Sequence, residues 1–307
     1  MFIVLMSTFN GAAYLIAQIE SIIHQIDIDL KLVIRDDGSK DNTLALANEL
    51  AQKNPNIEVI AGENKGFVGS FSELIKYAWD NFPEYEYFAF ADQDDVWYPN
   101  KLKVACKKLS EYPKDVPNLF CSNSDIIDGE GKKTGKKFRN YYPHYTRGNI
   151  LMFPTLQGCS MVFNRKAVEL YAGHLPMVSF HDRWMYLICH FLGNVYYAHT
   201  PLFGYRVHEN NTLGLKQEYG FIEGLRRLLD MLFKKQESEY FRMNKEFFET
   251  FSSFLQNDDL IIFKRYLSYK SHCEDKLNLL FSHDFGTPIP TIREKIIYYP
   301  HVLLNKL

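Results

Sequence analysis

Over residues 1–115, short apolar runs alternate with amphipathic stretches, and each run leads into a polar cluster. Phe2 to Met6 ends in Ser7-Thr8-Phe9-Asn10, and Leu30 to Ile34 ends in Arg35-Asp36-Asp37-Gly38-Ser39. Ile57 to Ile60 precedes Asn64-Lys65-Gly66, and Tyr87 to Ala91 stops at Asp92-Gln93-Asp94-Asp95. Runs this short, bounded by turn residues, read as buried strands. Between them, Leu15, Ile16, Ile19, Ile22, Ile23 and Ile26 recur at helical spacing, as do Phe71, Leu74, Ile75, Ala78, Trp79 and Phe82. Asn10 is placed to cap the first helix, and Ser39 or Asp41 the second, which runs to about Gln52. Pro99 opens a further helix to about Glu111. The alternation predicts an α/β fold with a mostly parallel sheet sandwiched by helices. Ligands of such sheets bind beyond the carboxyl ends of the strands, so the four polar clusters aim at one crevice.

From residue 116 the pattern is mixed. Asn118 to Ser124 reads as a strand, Asp128-Gly129-Glu130-Gly131 as a hairpin turn, and Gln157 to Asn164 as another strand. Asp182 to Leu192 is helical, followed by short strands at Val195–Ala198 and Leu202–Val207. Beyond about 216 the chain reads as helices over 220–234, 237–256, 258–281 and 291–305. This predicts domains at 1–215 and 216–307, the second a C-terminal helical extension.

Composition removes several function classes. The net charge of −2 over 307 residues gives no basic field for nucleic acid. Five scattered cysteines, with no CxxC and no zinc spacing, predict reduced thiols in a cytoplasmic protein. Met1 to Met6 is short, lacks a basic flank and reads as a first strand, not a signal peptide. No apolar run approaches the length of a transmembrane helix. The 15% aromatic content suits ring stacking, membrane contact or a thick core.

Asp92, Asp94 and Asp95 carry the strongest chemistry. Carboxylates crowded at a strand end repel one another, which favours a cation between them. Oxygen ligands suit Mg²⁺ or Mn²⁺, which in turn would hold a nucleotide diphosphate. The plainer alternative is a solvated turn, with Asp95 capping a helix or orienting the loop. Asp36 or Asp37 is placed to meet a base or ribose, or to form an Asx turn. Asp182 in His181-Asp182-Arg183-Trp184 is either a general base or a helix N-cap. Arg206 and His208 can reach diphosphate or metal, or can belong to a surface loop. No GxGxxG or Walker A sequence is present, which argues against a Rossmann dehydrogenase and a P-loop kinase.

Together these segments, in this order, resemble family 2 glycosyltransferases, in particular the bacterial rhamnosyltransferase-like branch. The motifs are Ser7–Gly11, Arg35–Thr43, Asn64–Gly66, Asp92–Trp97, His181–Trp184 and Tyr205–His208. The resemblance covers about 1–215 and implies a GT-A fold, with a nucleotide-sugar half at 1–115 and an acceptor half at 116–215. It implies inverting transfer from a UDP-sugar or dTDP-sugar, with Mn²⁺ or Mg²⁺, to a glycan or lipid-linked acceptor in surface-polysaccharide synthesis. The donor site would comprise Thr8, Phe9, Asn10, Tyr14, Asp36, Asp37, Asn64, Lys65, Gly66, Asp92 and Arg206. Asp92, Asp94 and His208 would hold the metal, Asp182 would be the base, and Gly158, Cys159 and Trp184 would face the acceptor. His181 departs from the family's usual acidic pair but matches its His-Asp form.

A competing class is a non-catalytic nucleotide-sugar or glycan binder on the same fold, which the intact acidic cluster and Asp182 disfavour. A nucleotidyltransferase would need a glycine-rich, basic first loop, and only Gly11 is there. In the tail, Ile222, Leu225, Leu228, Leu229, Leu232 and Phe233 with Arg226, Arg227, Lys234 and Lys235 form a basic amphipathic pattern. Such a helix suits contact with the inner face of a membrane, or packing on the catalytic domain or a second subunit.

Overall fold

The computed structural model describes residues 1–139, 145–152, 156–176, 180–208, 238–285 and 302–303. The helices expected at 220–234 and, almost entirely, at 291–305 lie outside the described residues. The chain forms two compact units. The first comprises Met1–Asn140, Leu156–Pro176 and Phe180–Glu209; the second comprises Tyr141–Thr155, Met177–Ser179 and Asn210–Leu307.

The first unit is built on one sheet. Its strands are β1 (Phe2–Thr8), β2 (Leu30–Asp36), β3 (Ile57–Ala61), β4 (Tyr87–Ala91), β5 (Val96–Trp97), β6 (Asn118–Ile127), β7 (Lys133–Lys137), β8 (Val162–Asn164) and β9 (Asn194–Arg206). The order is β3-β2-β1-β4-β8-β6-β9-β5, with β7 paired to β6. β1 to β4 pair in parallel, as do β6 and β9; β8 runs antiparallel between β4 and β6. β1 and β4 are buried almost throughout, because helices cover both faces of a parallel sheet.

Helices α1 (Leu15–Ile23), α2 (Thr43–Lys53), α3 (Gly66–Asn81), α4 (Lys101–Leu109), α5 (Arg165–Gly173) and α6 (His181–Leu192) complete this unit. In α1 the buried residues are Leu15, Gln18, Ile19 and Ile22; in α3 they are Ser70, Phe71, Leu74, Ile75 and Ala78. Each set is one helical stripe. Asn10 caps nothing: α1 is preceded by Tyr14, and the Asn10 side chain accepts the Lys40 N–H at 2.8 Å. Asp41 Oδ1 receives the Thr43 N–H at 3.0 Å, so it closes the start of α2.

The second half of the unit differs more from expectation. Gln157–Asn164 is a 3₁₀ turn (Gly158–Ser160) followed by the short β8, and α5 follows it directly. The two strands expected near 195 and 205 are one strand, β9, continuous across Pro201. Its register against β6 shifts between Ser122 and Asn123 and again between Asn123 and Asp125, a bulge that accommodates a residue with no N–H to donate.

The second unit contains α7 (Glu239–Phe251), α8 (Asn257–Ser268) and α9 (Cys273–Phe281). The long helix expected over 258–281 is broken between α8 and α9. Residues 146–152 join this unit through polar anchors. Arg147 Nη2 and Nε donate to the buried Asp259 carboxylate at 2.6 and 2.8 Å, and Asn244 Nδ2 donates to Leu151 O at 2.6 Å. No helix among the described residues is long and apolar enough to cross a membrane.

Gly193, at the end of α6, lets the chain pass close to Pro117: a Cβ there would lie 1.8 Å from Pro117 O. At Gly173, by contrast, a Cβ would meet nothing within 4 Å. Urea unfolding should therefore show Gly193→Ala destabilised by about 2 kcal/mol or more, with Gly173→Ala near wild type.

Candidate active site

β1, β2 and β4 end side by side, with Thr8 opposite Asp36 and Met6 opposite Ala91. Their loops therefore meet along one edge of the sheet. Phe9 is 43% exposed there, and Asn10 adopts the left-handed φ of 49° that Asn tolerates. Gln93 joins this loop to the acidic one: Phe9 N–H donates to its Oε1 at 2.9 Å, and its Nε2 donates to Phe9 O at 3.1 Å. A Cβ at Gly11 would fall 2.0 Å from Gln93 Oε1, so glycine is required for this approach.

Asp36 and Asp37 are buried scaffolding first. Asp36 accepts from Ser39 N–H at 2.9 Å, Ser39 Oγ at 2.6 Å and Thr8 Oγ1 at 3.2 Å. Asp37 pairs with the Arg35 guanidinium and accepts the Lys65 N–H at 2.9 Å. Exposed groups at this end include Phe9, Asn10, Asn64, Lys65 and Gly66. Thr8 is buried behind them.

The acidic loop divides by depth. Asp92 and Asp94 are half-buried, whereas Asp95 is fully buried. Asp95 therefore caps no helix; its Oδ1 receives the Arg206 N–H at 3.2 Å. Burial, then the Asp94 charge, pushes the Asp92 carboxyl up to about 7, and the same causes hold Asp95 well above the usual range. Asp94 Oδ2 meets His208 Nε2 at 2.9 Å, and the His208 ring packs 4.7 Å from Tyr14. Arg206 is aimed at the protein, not at the crevice. Its Nε donates to Asp94 O at 2.7 Å and its Nη1 to Gly129 O at 2.8 Å, with Tyr14 against the guanidinium. A buried guanidinium needs acceptors, and loop carbonyls supply them.

Two further groups complete the cluster. Cys159 is buried, and its sulfur lies with Asp92 and Asp95 oxygens in one group of ligand atoms within 4.8 Å. Lys101 is buried beneath them; its Nζ donates to Cys159 O at 2.6 Å and sits 3.4 Å above the Trp97 ring. Burial pulls its pKa down to about 7.

Asp182 reaches this region from α6. Its Oδ1 accepts the Arg183 N–H at 2.7 Å, while Oδ2 lies toward Gly158, 3.4 Å from where a Cβ would stand. A Cβ would also lie 3.0 Å from Asp182 Cβ and 3.2 Å from His181 Nε2, so glycine at 158 lets the turn approach the start of α6 closely. His181 fixes the start of α6. Its ring stacks on Phe71 at 3.9 Å and meets Phe90 edge-on at 4.9 Å. Two residues assigned to the acceptor are core instead. Trp184 is 1% exposed and its Nε1 donates to His174 O at 3.0 Å, and Cys159 lies under the acidic loop.

The donor set fits a hard divalent cation. Asp92 and Asp95 carry raised pKa values, and among the described residues Asp95 Oδ2 has no hydrogen-bond partner. Such a cation would supply the missing positive charge.

Comparison with known proteins agrees with this architecture. The model of "Glycosyl transferase family 2" matches residues 3–171. The chain belongs to glycosyl transferase family 2. Among its relatives, the dTDP-rhamnosyl transferase RfbG of Shigella flexneri is 29% identical over 220 residues, covering 68% of this chain and 73% of that protein. An uncharacterized glycosyltransferase, alr2836 of Nostoc, is 30% identical over 68% of this chain and 65% of its own. Among solved structures, S. aureus TarS 1–349 in complex with UDP-GlcNAc matches at a TM-score of 0.55 and 16% identity, covering 98% of this chain and 90% of TarS 1–349. The mannosyltransferase PcManGT of Pyrobaculum calidifontis, in complex with GDP-Man and Mn²⁺, matches at 0.52 and 14% identity, covering 99% and 85%. These neighbours share the GT-A fold, a curled, mostly parallel sheet between helices.

In this family 2 glycosyltransferase the residues that sequence reasoning missed are Gln93, Lys101 and the packing role of His181. Gln93 alone had a local signal, standing between Asp92 and Asp94. Neither ring nitrogen of His181 has a partner among the described residues, and burial lowers its pKa from 6.5 to about 4. Unfolded, the ring binds a proton near its ordinary value, so between pH 6.5 and 4 the unfolded chain holds more protons and stability falls as pH falls. From pH 7.5 to 5 this contributes a loss of about 2 kcal/mol. His181→Phe, which keeps the stack, should lose that part of the pH dependence when urea midpoints are compared.

Proposed function

We propose that the chain transfers a sugar, with inversion, from a nucleoside diphosphate sugar to a glycan or lipid-linked acceptor in bacterial surface-polysaccharide synthesis. The observation that carries this reading is the close approach of Asp182 to Gly158, whose neighbour Cys159 lies with the Asp92 and Asp95 carboxylates of the acidic loop. A base and a leaving-group site so arranged suit attack from the face opposite the diphosphate.

In this reading the nucleoside lies over the exposed Phe9, Asn10, Asn64, Lys65 and Gly66, with Asp36 and Asp37 shaping the floor beneath it. Tyr14 and Thr8 support the same end, and Arg206 holds the acidic loop from behind. Asp92, Asp94 and His208 hold Mn²⁺ or Mg²⁺; Gly158 belongs to the acceptor side. The cation, when bound, would neutralise charge on the departing diphosphate. Asp182 takes the proton of the acceptor hydroxyl, whose oxygen bonds to the anomeric carbon. The bond from that carbon to the diphosphate oxygen breaks, and its electron pair leaves with the diphosphate.

Names of similar proteins span dTDP-rhamnosyl transfer, UDP-GlcNAc binding, GDP-Man binding with Mn²⁺ and chondroitin synthesis. A dTDP-sugar, rhamnose first, is the donor we favour, and a UDP-sugar is next. The work belongs at the cytoplasmic side, with 216–307 meeting the inner membrane face or a second subunit.

Asp182→Asn should lower transfer by at least about 10²-fold while nucleotide binding, followed by thermal shift, stays at the wild-type level. Near-normal transfer by this variant would sink the base assignment. Asp94→Ala should move the Mn²⁺ titration of activity to higher concentration; an unchanged titration removes Asp94 as a ligand.

A further inference from the structure

Arg35 carries a buried charge that no step of the proposed transfer uses. Its side chain, at the end of β2, is 2% exposed, and a guanidinium removed from water needs acceptors for its N–H groups. Three segments supply them. Nε donates to Glu73 Oε2 of α3 at 2.6 Å, Nη2 donates to Glu63 O at 3.0 Å, and Nη1 pairs with the Asp37 carboxylate. The fork is thus shared between the loop after β2, the loop after β3 and α3.

These partners converge on residues 62–66. Asp37 accepts the Lys65 N–H at both oxygens, at 2.9 and 3.1 Å. Gly62 N–H donates to Asp36 O at 2.9 Å. Glu73 is held by Arg35 through one oxygen and receives the Lys65 ammonium at the other. Asn64 Oδ1 accepts the Gly66 N–H at 3.2 Å, and Gly66 takes the left-handed φ of 70°. The close approach of the guanidinium needs glycine at 62, where a Cβ would fall 2.5 Å from Arg35 Nη2. The same scaffold reaches the first loop, because Asp37 N–H donates to Thr8 O at 2.8 Å. Asn64, Lys65 and Gly66, exposed on one side, are therefore anchored on the other to a network centred on Arg35.

We infer that Arg35 is a positioning residue for the donor: through Asp37, Glu63 and Glu73 it holds the 62–66 backbone in the shape that receives the nucleoside, without touching substrate itself. The inference rests on the transferase reading above, which lays the nucleoside over Asn64, Lys65 and Gly66. Lysine is no substitute here, because one ammonium on a flexible stem cannot span two carboxylates and a carbonyl in fixed directions.

Calorimetry of UDP and dTDP binding to the full chain with Mn²⁺ tests this. Arg35→Lys, which keeps the charge and loses the fork, should bind both nucleotides at least about tenfold more weakly. Gly62→Ala removes no charge but displaces the guanidinium, and should weaken both nucleotides too. Lys76→Ala, which breaks an exposed pair with Asp80 on α3, should bind as wild type does. In donor hydrolysis Arg35→Lys should raise KM while kcat at saturating donor stays within about twofold of wild type, a split that general loosening of the fold would not give. Wild-type nucleotide binding by both Arg35→Lys and Gly62→Ala would overturn the inference. So would a fall in kcat with KM and nucleotide binding unchanged. A wild-type chain that binds nucleotide but hydrolyses no donor counts against the transferase reading, whereas the binding titrations decide Arg35 separately.

Discussion

A carboxylate removed from water must find charge or hydrogen bonds within the protein, and Asp95 is fully buried at the end of β4. The first unit is arranged around that demand. The Arg206 N–H meets one oxygen, which ties the far end of β9 to the acidic loop. Lys101, from the start of α4, places a cation under the same loop and holds the Cys159 carbonyl. The Cys159 turn is in turn the segment that presents Gly158 to Asp182. One buried acid thus links β4, β9, α4 and the 158–160 turn, four segments distant in sequence.

The compensation at Asp95 is incomplete, and this bears on chemistry. Lys101 is itself deeply buried, which drives its pKa down to about 7, while Asp92 rises to about 7. The protein's own cation is therefore weakened by the same low dielectric that strains the acids. A loop left in this condition gains more from a divalent ion than a solvated acidic turn would, because the ion relieves a repulsion that burial has magnified.

Sequence periodicity located β1 to β4 and the helices between them because each is a local pattern of apolar residues. It split β9 in two, since His199-Thr200-Pro201 looks like a break; only a bulge in β9 against β6, a strand far earlier in the chain, keeps the strand continuous. The depth of Asp95 and Lys101 was equally illegible, as each is covered by residues far along the chain. Asp36, Asp37 and Arg206 were recognised as special, but whether such residues face ligand or hold a loop depends on side-chain direction, which spacing does not encode. Trp184 and Cys159 were misplaced for the opposite reason: Asp182 lies two residues before one and Gly158 directly before the other, and so short a step along a helix or turn is enough to turn a side chain inward.

The β6–β9 pair has a further consequence. It carries Arg206 at one end, against the acidic loop, and the Asn123–Pro201 register shift in its middle. The 157–160 turn is itself hydrogen-bonded to β6 through Ser124 and Gln157. The same strand pair thus holds both the acidic loop, through Arg206, and the turn that brings Gly158 against Asp182. Their spacing is set by backbone pairing rather than by the choice of any single side chain, which is how a rigid element positions groups carried on loops.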